Sequence, residues 1–193
     1  MTKVQYFAGM LCILLLSACA TNRVNVYTTV PFAQAPDLSS GYVAGLFSRD
    51  WGSGSLGFGI VNVDTAAEYV ISFGTDSRLQ SSIRDEVGMI QIPPGNYRIA
   101  YWLTYSTLDR EKRSQNEIPA DSAIGSTFAV APGEILFIGS YAARLERDQN
   151  GGNNAASWTI MPQQIALPTA NKAIAKRYPE FSTLPLSCQR CIK

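Results

Sequence analysis

The chain has 193 residues, 16 Lys+Arg against 15 Asp+Glu and no histidine, for a formal net charge of +1. That balance gives no electrostatic reason to bind nucleic acid, and the missing histidine removes the usual general base, every Ser-His or Cys-His arrangement and the commonest metal ligand. The length suits one domain with a real core rather than two.

The first element is an export signal. Lys3 is followed by an almost continuously apolar run from Tyr6 to Leu16, and Ser17 and Ala18 are the small residues a signal peptidase tolerates. The run is far shorter than the roughly twenty residues a helix needs to cross a bilayer. Leu16-Ser17-Ala18-Cys19 resembles the lipobox of bacterial lipoproteins. The resemblance implies cleavage before Cys19, acylation of its sulfur and new amino terminus, and attachment to a membrane through that covalent lipid. Ala20 stands where inner-membrane lipoproteins tend to carry aspartate, which implies the outer membrane, facing the periplasm. Residues 1–18 are thus a signal peptide and 19–23 a lipidated tether. Removing 1–18 leaves 175 residues, and because only Lys3 is lost from the basic set, the mature chain has fifteen charges of each sign.

Residues 24–162 are expected to form the domain proper. Val24 to Val30 reads as the first strand, and Pro31 to Ser40 as either a loop or a longer tether. From Gly41 to Met161 short aromatic and β-branched runs alternate with Gly, Pro, Asn and Asp clusters. Strands are predicted over Tyr42–Ser48, Leu56–Val63, Ala67–Phe73, Gly88–Ile92, Tyr97–Ser106, Thr127–Val130, Ile135–Ala142 and Ser157–Met161. Period-two alternation puts Tyr69, Ile71 and Phe73 on one face. The same rule puts Tyr97, Ile99, Tyr101, Leu103 and Tyr105 together, with Trp102 opposite. The fold class is therefore all-β, an antiparallel β-sandwich of about 7–9 strands.

Pro93-Pro94-Gly95 and Pro132-Gly133 each read as a hairpin turn between two strands. With Ile92-Pro93-Pro94-Gly95-Asn96-Tyr97 followed by Val130-Ala131-Pro132-Gly133, the stretch Val87 to Ala142 resembles uncharacterised bacterial lipoproteins with a transthyretin-like or PEGA-like sandwich. That resemblance implies a fold and an envelope location and brings no catalytic residues. The mixed-charge run Asp109 to Glu117 reads as a solvated loop, and Gly151-Gly152-Asn153-Asn154 as an exposed one. Residues 163–193 are expected to form a short helix and an extended tail. Thr169 is the expected cap, Ala170 to Tyr178 the helix, and Lys176 and Arg177 favour its C-terminal dipole. At nine residues it must dock, on its own sandwich or, as the alternative, in a partner's groove.

Chemistry is sparse. Gly52-Ser53-Gly54-Ser55-Leu56-Gly57 matches G-x-G-x-x-G, but a strand rather than a helix follows, so the dinucleotide reading fails. Cys12 leaves with the signal and Cys19 is lipidated. Cys188 and Cys191 remain, too few for zinc, and are expected to form a local disulfide that pins the tail. No metal, no cofactor besides the Cys19 lipid, and no catalytic residue are predicted. Asp85, Glu86 and Asp121 are the candidate carboxylates of a histidine-free cell-wall hydrolase, against the reading in which Asp85 and Glu86 solvate a turn. Trp51, in a Gly-rich loop, is the candidate binding aromatic, with packing in the core or in a bend as the alternative. The functional expectation is a non-catalytic binding or assembly module with an envelope protein partner, in one version an accessory subunit of a secretion machine.

Overall fold

A computed structural model describes residues 29–51, 55–74, 82–106, 108, 110–147 and 156–192. Cys12, Cys19, the run Val24 to Thr28, Gly52 to Gly54, Asp109 and the Gly151–Asn154 loop lie outside the described residues. Among the described residues there are ten strands: β1 (Gly41–Arg49), β2 (Ser55–Asn62), β3 (Glu68–Ser72), β4 (Ile83–Ile92), β5 (Gly95–Tyr105), β6 (Lys112–Glu117), β7 (Phe128–Val130), β8 (Ile135–Arg147), β9 (Ala156–Gln163) and β10 (Leu186–Cys188). Helix α1 (Leu167–Arg177) and a 3₁₀ turn (Pro179–Phe181) separate β9 from β10.

The strands form an all-β sandwich of two sheets. In the first, the order is β10-β8-β1-β4; in the second, β3-β2-β5-β6. β9 joins β10 along one edge of β8, and β7 joins β6 along one edge of β5. Most pairings are antiparallel, but β8 lies parallel to both β1 and β10. Both Pro-Gly turns depart from the hairpin expectation. β4 and β5 belong to different sheets, as do β7 and β8, so each turn carries the chain across the sandwich. Proline and glycine set the backbone of a reversal, not which strand will be hydrogen-bonded after it.

Between the sheets Val43, Phe47, Phe58, Phe73 and Tyr141 anchor the main core. Phe47 stacks on Phe73 with ring centroids 4.4 Å apart, and Phe58 meets both Phe73 and Tyr141 edge-on at 4.8 Å. Such offset and T-shaped pairs are the favoured aromatic geometries. Ile71 and Phe73 face this core and Tyr69 packs against it, as the alternation of β3 requires.

β5 does not keep one face throughout. Tyr97 and Ile99 enter the main core, whereas Tyr101, Leu103 and Tyr105 lie in a separate cluster with Val70 and Ala100. The cause is a bulge: Ile60 pairs with Ile99 and Gly59 with Tyr101, leaving Ala100 unmatched. One extra residue flips every side chain beyond it. Trp102 consequently packs on the main core.

The charged run read as a loop is partly strand. Lys112 to Glu117 pairs with β5 as an edge strand, exposed along almost its whole length. Backbone pairing, not side-chain burial, holds it. Helix α1 begins three residues before its expected start. Ala166 rather than Thr169 is the N-cap, no side chain caps it, and Pro168 sits in the first turn, where its missing N–H is harmless. Ala170 and Ile174 are buried against Tyr42, Ala44, Leu46, Met89 and Phe137, so α1 covers the outer face of the first sheet. Cys188 and Cys191 are joined by a disulfide with Cα atoms 5.7 Å apart. The tail it closes is not loose: Cys188 ends β10, and Ile135 N donates to Pro185 O. Among the described residues no helix is long and apolar enough to cross a membrane.

Candidate functional site

β3 and β4 are the terminal strands of their sheets and meet along one side of the sandwich. At Gly88 an added Cβ would stand 2.9 Å from the Ser72 carbonyl oxygen. Only a residue without a side chain lets the two edges come this near.

The seam is crossed by a strap, Thr29 to Phe32. Thr29 bridges Ile90 in antiparallel fashion, and Val30 N donates to Met89 O at 2.9 Å. Val30 is buried under α1 with the outer-face cluster. Phe32, 60% exposed, stacks on Tyr178 at 6.1 Å, and the Arg177 guanidinium lies 4.1 Å from its ring centroid. Arg177 also pairs with Glu86 at 2.8 Å. Burial pushes the Tyr178 phenol above its usual range, while hydrogen bonds from Arg177 and the Met89 backbone partly oppose this.

The strap divides the seam into two openings. One is a cavity of about 240 Å³, with Val30, Ile71, Val87 and Ile90 as apolar lining and Glu86, Arg110 and Arg177 as charged lining. The other, about 590 Å³ and more open, is lined by Gln34, Ser39, Ser40, Tyr69, Gln91 and Pro93. Its polar groups are organised: Gln34 Nε2 donates to Gln91 Oε1, and Gln91 Nε2 donates to Ser40 Oγ at 2.9 Å. Thr29 and Pro31 line both.

The residues singled out in the sequence fall elsewhere or take other partners. Asp85 sits in a β4 bulge with φ of 48°, its carboxylate accepting from Ser48 Oγ at 3.0 Å. It lines a third, more polar recess of about 220 Å³ with Arg84 and Arg144. Glu86 turns to Arg177, so the adjacent carboxylates are not assembled into a pair. Asp121 is exposed between β6 and β7. Trp51 is 62% exposed just beyond β1. It lines neither seam opening. Among the described residues no group of three or more His, Cys, Asp or Glu is placed to hold a metal ion.

No protein-family model and no curated protein matches the chain. Among solved structures, it is similar to a leucine-rich repeat protein from Bacteroides thetaiotaomicron. That match has 12% identity and a TM-score of 0.35, covering 66% of this chain and 19% of the other. It is also similar to a candidate cell adhesion protein from Bacteroides fragilis, with 11% identity and a TM-score of 0.29, covering 65% and 45%. The chain thus spans less than half the length of either neighbour.

Sequence reasoning missed Phe32, Arg110 and Arg177 as site residues. Arg177 was explicable by the helix dipole alone, and an isolated aromatic in a proline-containing stretch carries no periodic signal. What joins them is the fold, which brings the strap, β4, the β5–β6 loop and the end of α1 to one seam.

Proposed function

We propose that this protein is a membrane-anchored bacterial lipoprotein whose sandwich is a non-catalytic binding or assembly module, with the β3–β4 seam as its binding face. Cys19 carries the lipid and the module faces the periplasm from the outer membrane. The observation that carries the reading is the strap. Thr29 and Pro31, which follow Cys19 in the chain, line both seam openings, so the binding face begins at the first described residues after the anchor. Cys19 precedes Thr29 by ten positions, a reach of at most about 35 Å when extended. A partner bound at the seam is then held near the membrane, as an assembly module requires.

The reading is tested by placing a photo-crosslinking residue at Gln34 in intact cells and comparing wild type with Cys19→Ser. A defined envelope partner, captured at Gln34 and lost in Cys19→Ser, supports it. Capture of nothing beyond abundant neighbouring proteins, or equal capture without the anchor, sinks it.

A further inference from the structure

We infer that the more open of the two seam openings takes a small neutral saccharide. The inference rests on the seam being a binding face and assigns its ligand class. Its volume, about 590 Å³, lies within the roughly 300–1,000 Å³ of small-molecule sites. Unlike the enclosed cavity, it is uncharged: among the described residues that line it there is no Lys, Arg, Asp or Glu. Gln34, Ser39, Ser40 and Gln91 bring amides and hydroxyls, while Tyr69 and Pro93 bring apolar surface. Hydrogen bonds without a full charge, beside an aromatic ring and a proline, match a ligand whose edge is hydroxyl and whose face is C–H.

The polar groups are held from behind. Asp37, outside the lining, accepts from Ser39 Oγ at 2.7 Å and from Ser40 Oγ at 2.8 Å, and these bonds, Ser39's foremost, hold its carboxyl below the usual range. An ionised carboxylate only accepts, so both hydroxyl protons turn to Asp37 and the serine oxygens stand as acceptors. Gln34 spends one amide hydrogen on Gln91 Oε1, and the described residues leave its other hydrogen and its oxygen unengaged. The apolar side is fixed as well: Tyr69 is set edge-on to Tyr97 at 6.0 Å, and Pro93 O accepts from Tyr97 Oη at 2.7 Å. A cleft ordered before its ligand arrives loses less freedom on binding.

The test uses the purified full-length protein in micelles of a detergent without a sugar headgroup. Saturation-transfer NMR is read with cellobiose, N,N′-diacetylchitobiose, methyl glucoside and methyl glucuronide, and with acetyl-tetraproline-amide as the competing class. Transfer to at least one of the two disaccharides is expected. Methyl glucoside should bind about fivefold or more tightly than methyl glucuronide, whose carboxylate would lose water without gaining a cation. Gln34→Ala should weaken the bound disaccharide about fivefold, through lost hydrogen bonds. Trp51→Ala, at an exposed aromatic outside the cleft, should leave it unchanged. No transfer to either disaccharide, equal or tighter binding of the glucuronide, tighter binding of the proline peptide, indifference to Gln34→Ala, or loss on Trp51→Ala overturns the inference. The glucoside–glucuronide comparison needs no variant and so survives any folding defect. A protein captured at Gln34 without saccharide binding overturns this assignment alone. Saccharide binding without a captured protein leaves the ligand class standing and removes the assembly role.

Discussion

At the scale of single residues, the second sheet is tied across its outer face by two tyrosines. Tyr101 reaches from β5 over Gly59 of β2, and its hydroxyl donates to Glu68 Oε2 of β3 at 2.7 Å. Tyr105 does the same further along, meeting the Ser72 hydroxyl. A Cβ at Gly59 would stand 2.1 Å from the Tyr101 ring. Gly59→Ala is therefore expected to lower stability by about 1–3 kcal/mol, because the ring has no room to stay flat on the sheet. Tyr101→Phe keeps the ring and loses only the hydrogen bond, about 1 kcal/mol or somewhat more for a charged acceptor. Urea unfolding of the two variants distinguishes packing from hydrogen bonding. Burial raises the phenols of Tyr42, Tyr97, Tyr101, Tyr141 and Tyr178 above their usual value. A group with a raised folded-state pKa contributes stability that is present below its unfolded pKa, about 10 for tyrosine, and lost as pH rises through the folded value. The fold should hold through neutral pH and weaken above about pH 10. Phenolate absorbance and circular dichroism, followed together, should then show ionisation coinciding with unfolding rather than preceding it.

At the scale of elements, α1 buries two side chains, Ala170 and Ile174. Ile174 is buried against the outer face of the first sheet, and truncation to alanine should cost about 2–5 kcal/mol. The disulfide contributes less, since its loop is short. Replacing Cys188 and Cys191 by alanine should lower stability by about 2 kcal/mol, the loop-entropy value for so small a ring, as read by denaturant titration. Element existence was largely legible from the chain. Aromatic and β-branched runs broken by Gly and Pro mark β1, β2, β3, β5 and β8, and Ile174 with Tyr178 marks one apolar stripe of the helix. Three features were not legible. The Ala100 bulge is silent because both faces of β5 are apolar, so alternation continues in form while its meaning inverts. β6 has no apolar residue to announce it, and β10 is only three residues long. The seam was hidden for a different reason: Phe32, Glu86, Arg110 and Arg177 are brought together by strand order, which local pattern does not encode.

At the scale of the molecule, the helix and tail share their core with the first sheet: Phe181 meets Tyr42 edge-on at 4.9 Å, and β10 extends the same sheet. One cooperative unit is expected. Thermal unfolding followed by near-ultraviolet and far-ultraviolet circular dichroism should give coincident transitions, and a separate early transition for the C-terminal segment would contradict it. The parallel pairing of β1 with β8 has a further consequence for how the fold is reached. Tyr42 is matched with Ile135, 93 positions further along the chain. Loop-closure entropy must be met before those contacts form, which makes such topologies slow folders. During synthesis β1 gains its antiparallel neighbour β4 early but waits for β8, and β8 in turn waits for the last few residues to complete its edge. A nascent chain therefore has every strand of its second sheet in hand by Val130, while its first sheet keeps an open edge until β10 has been made.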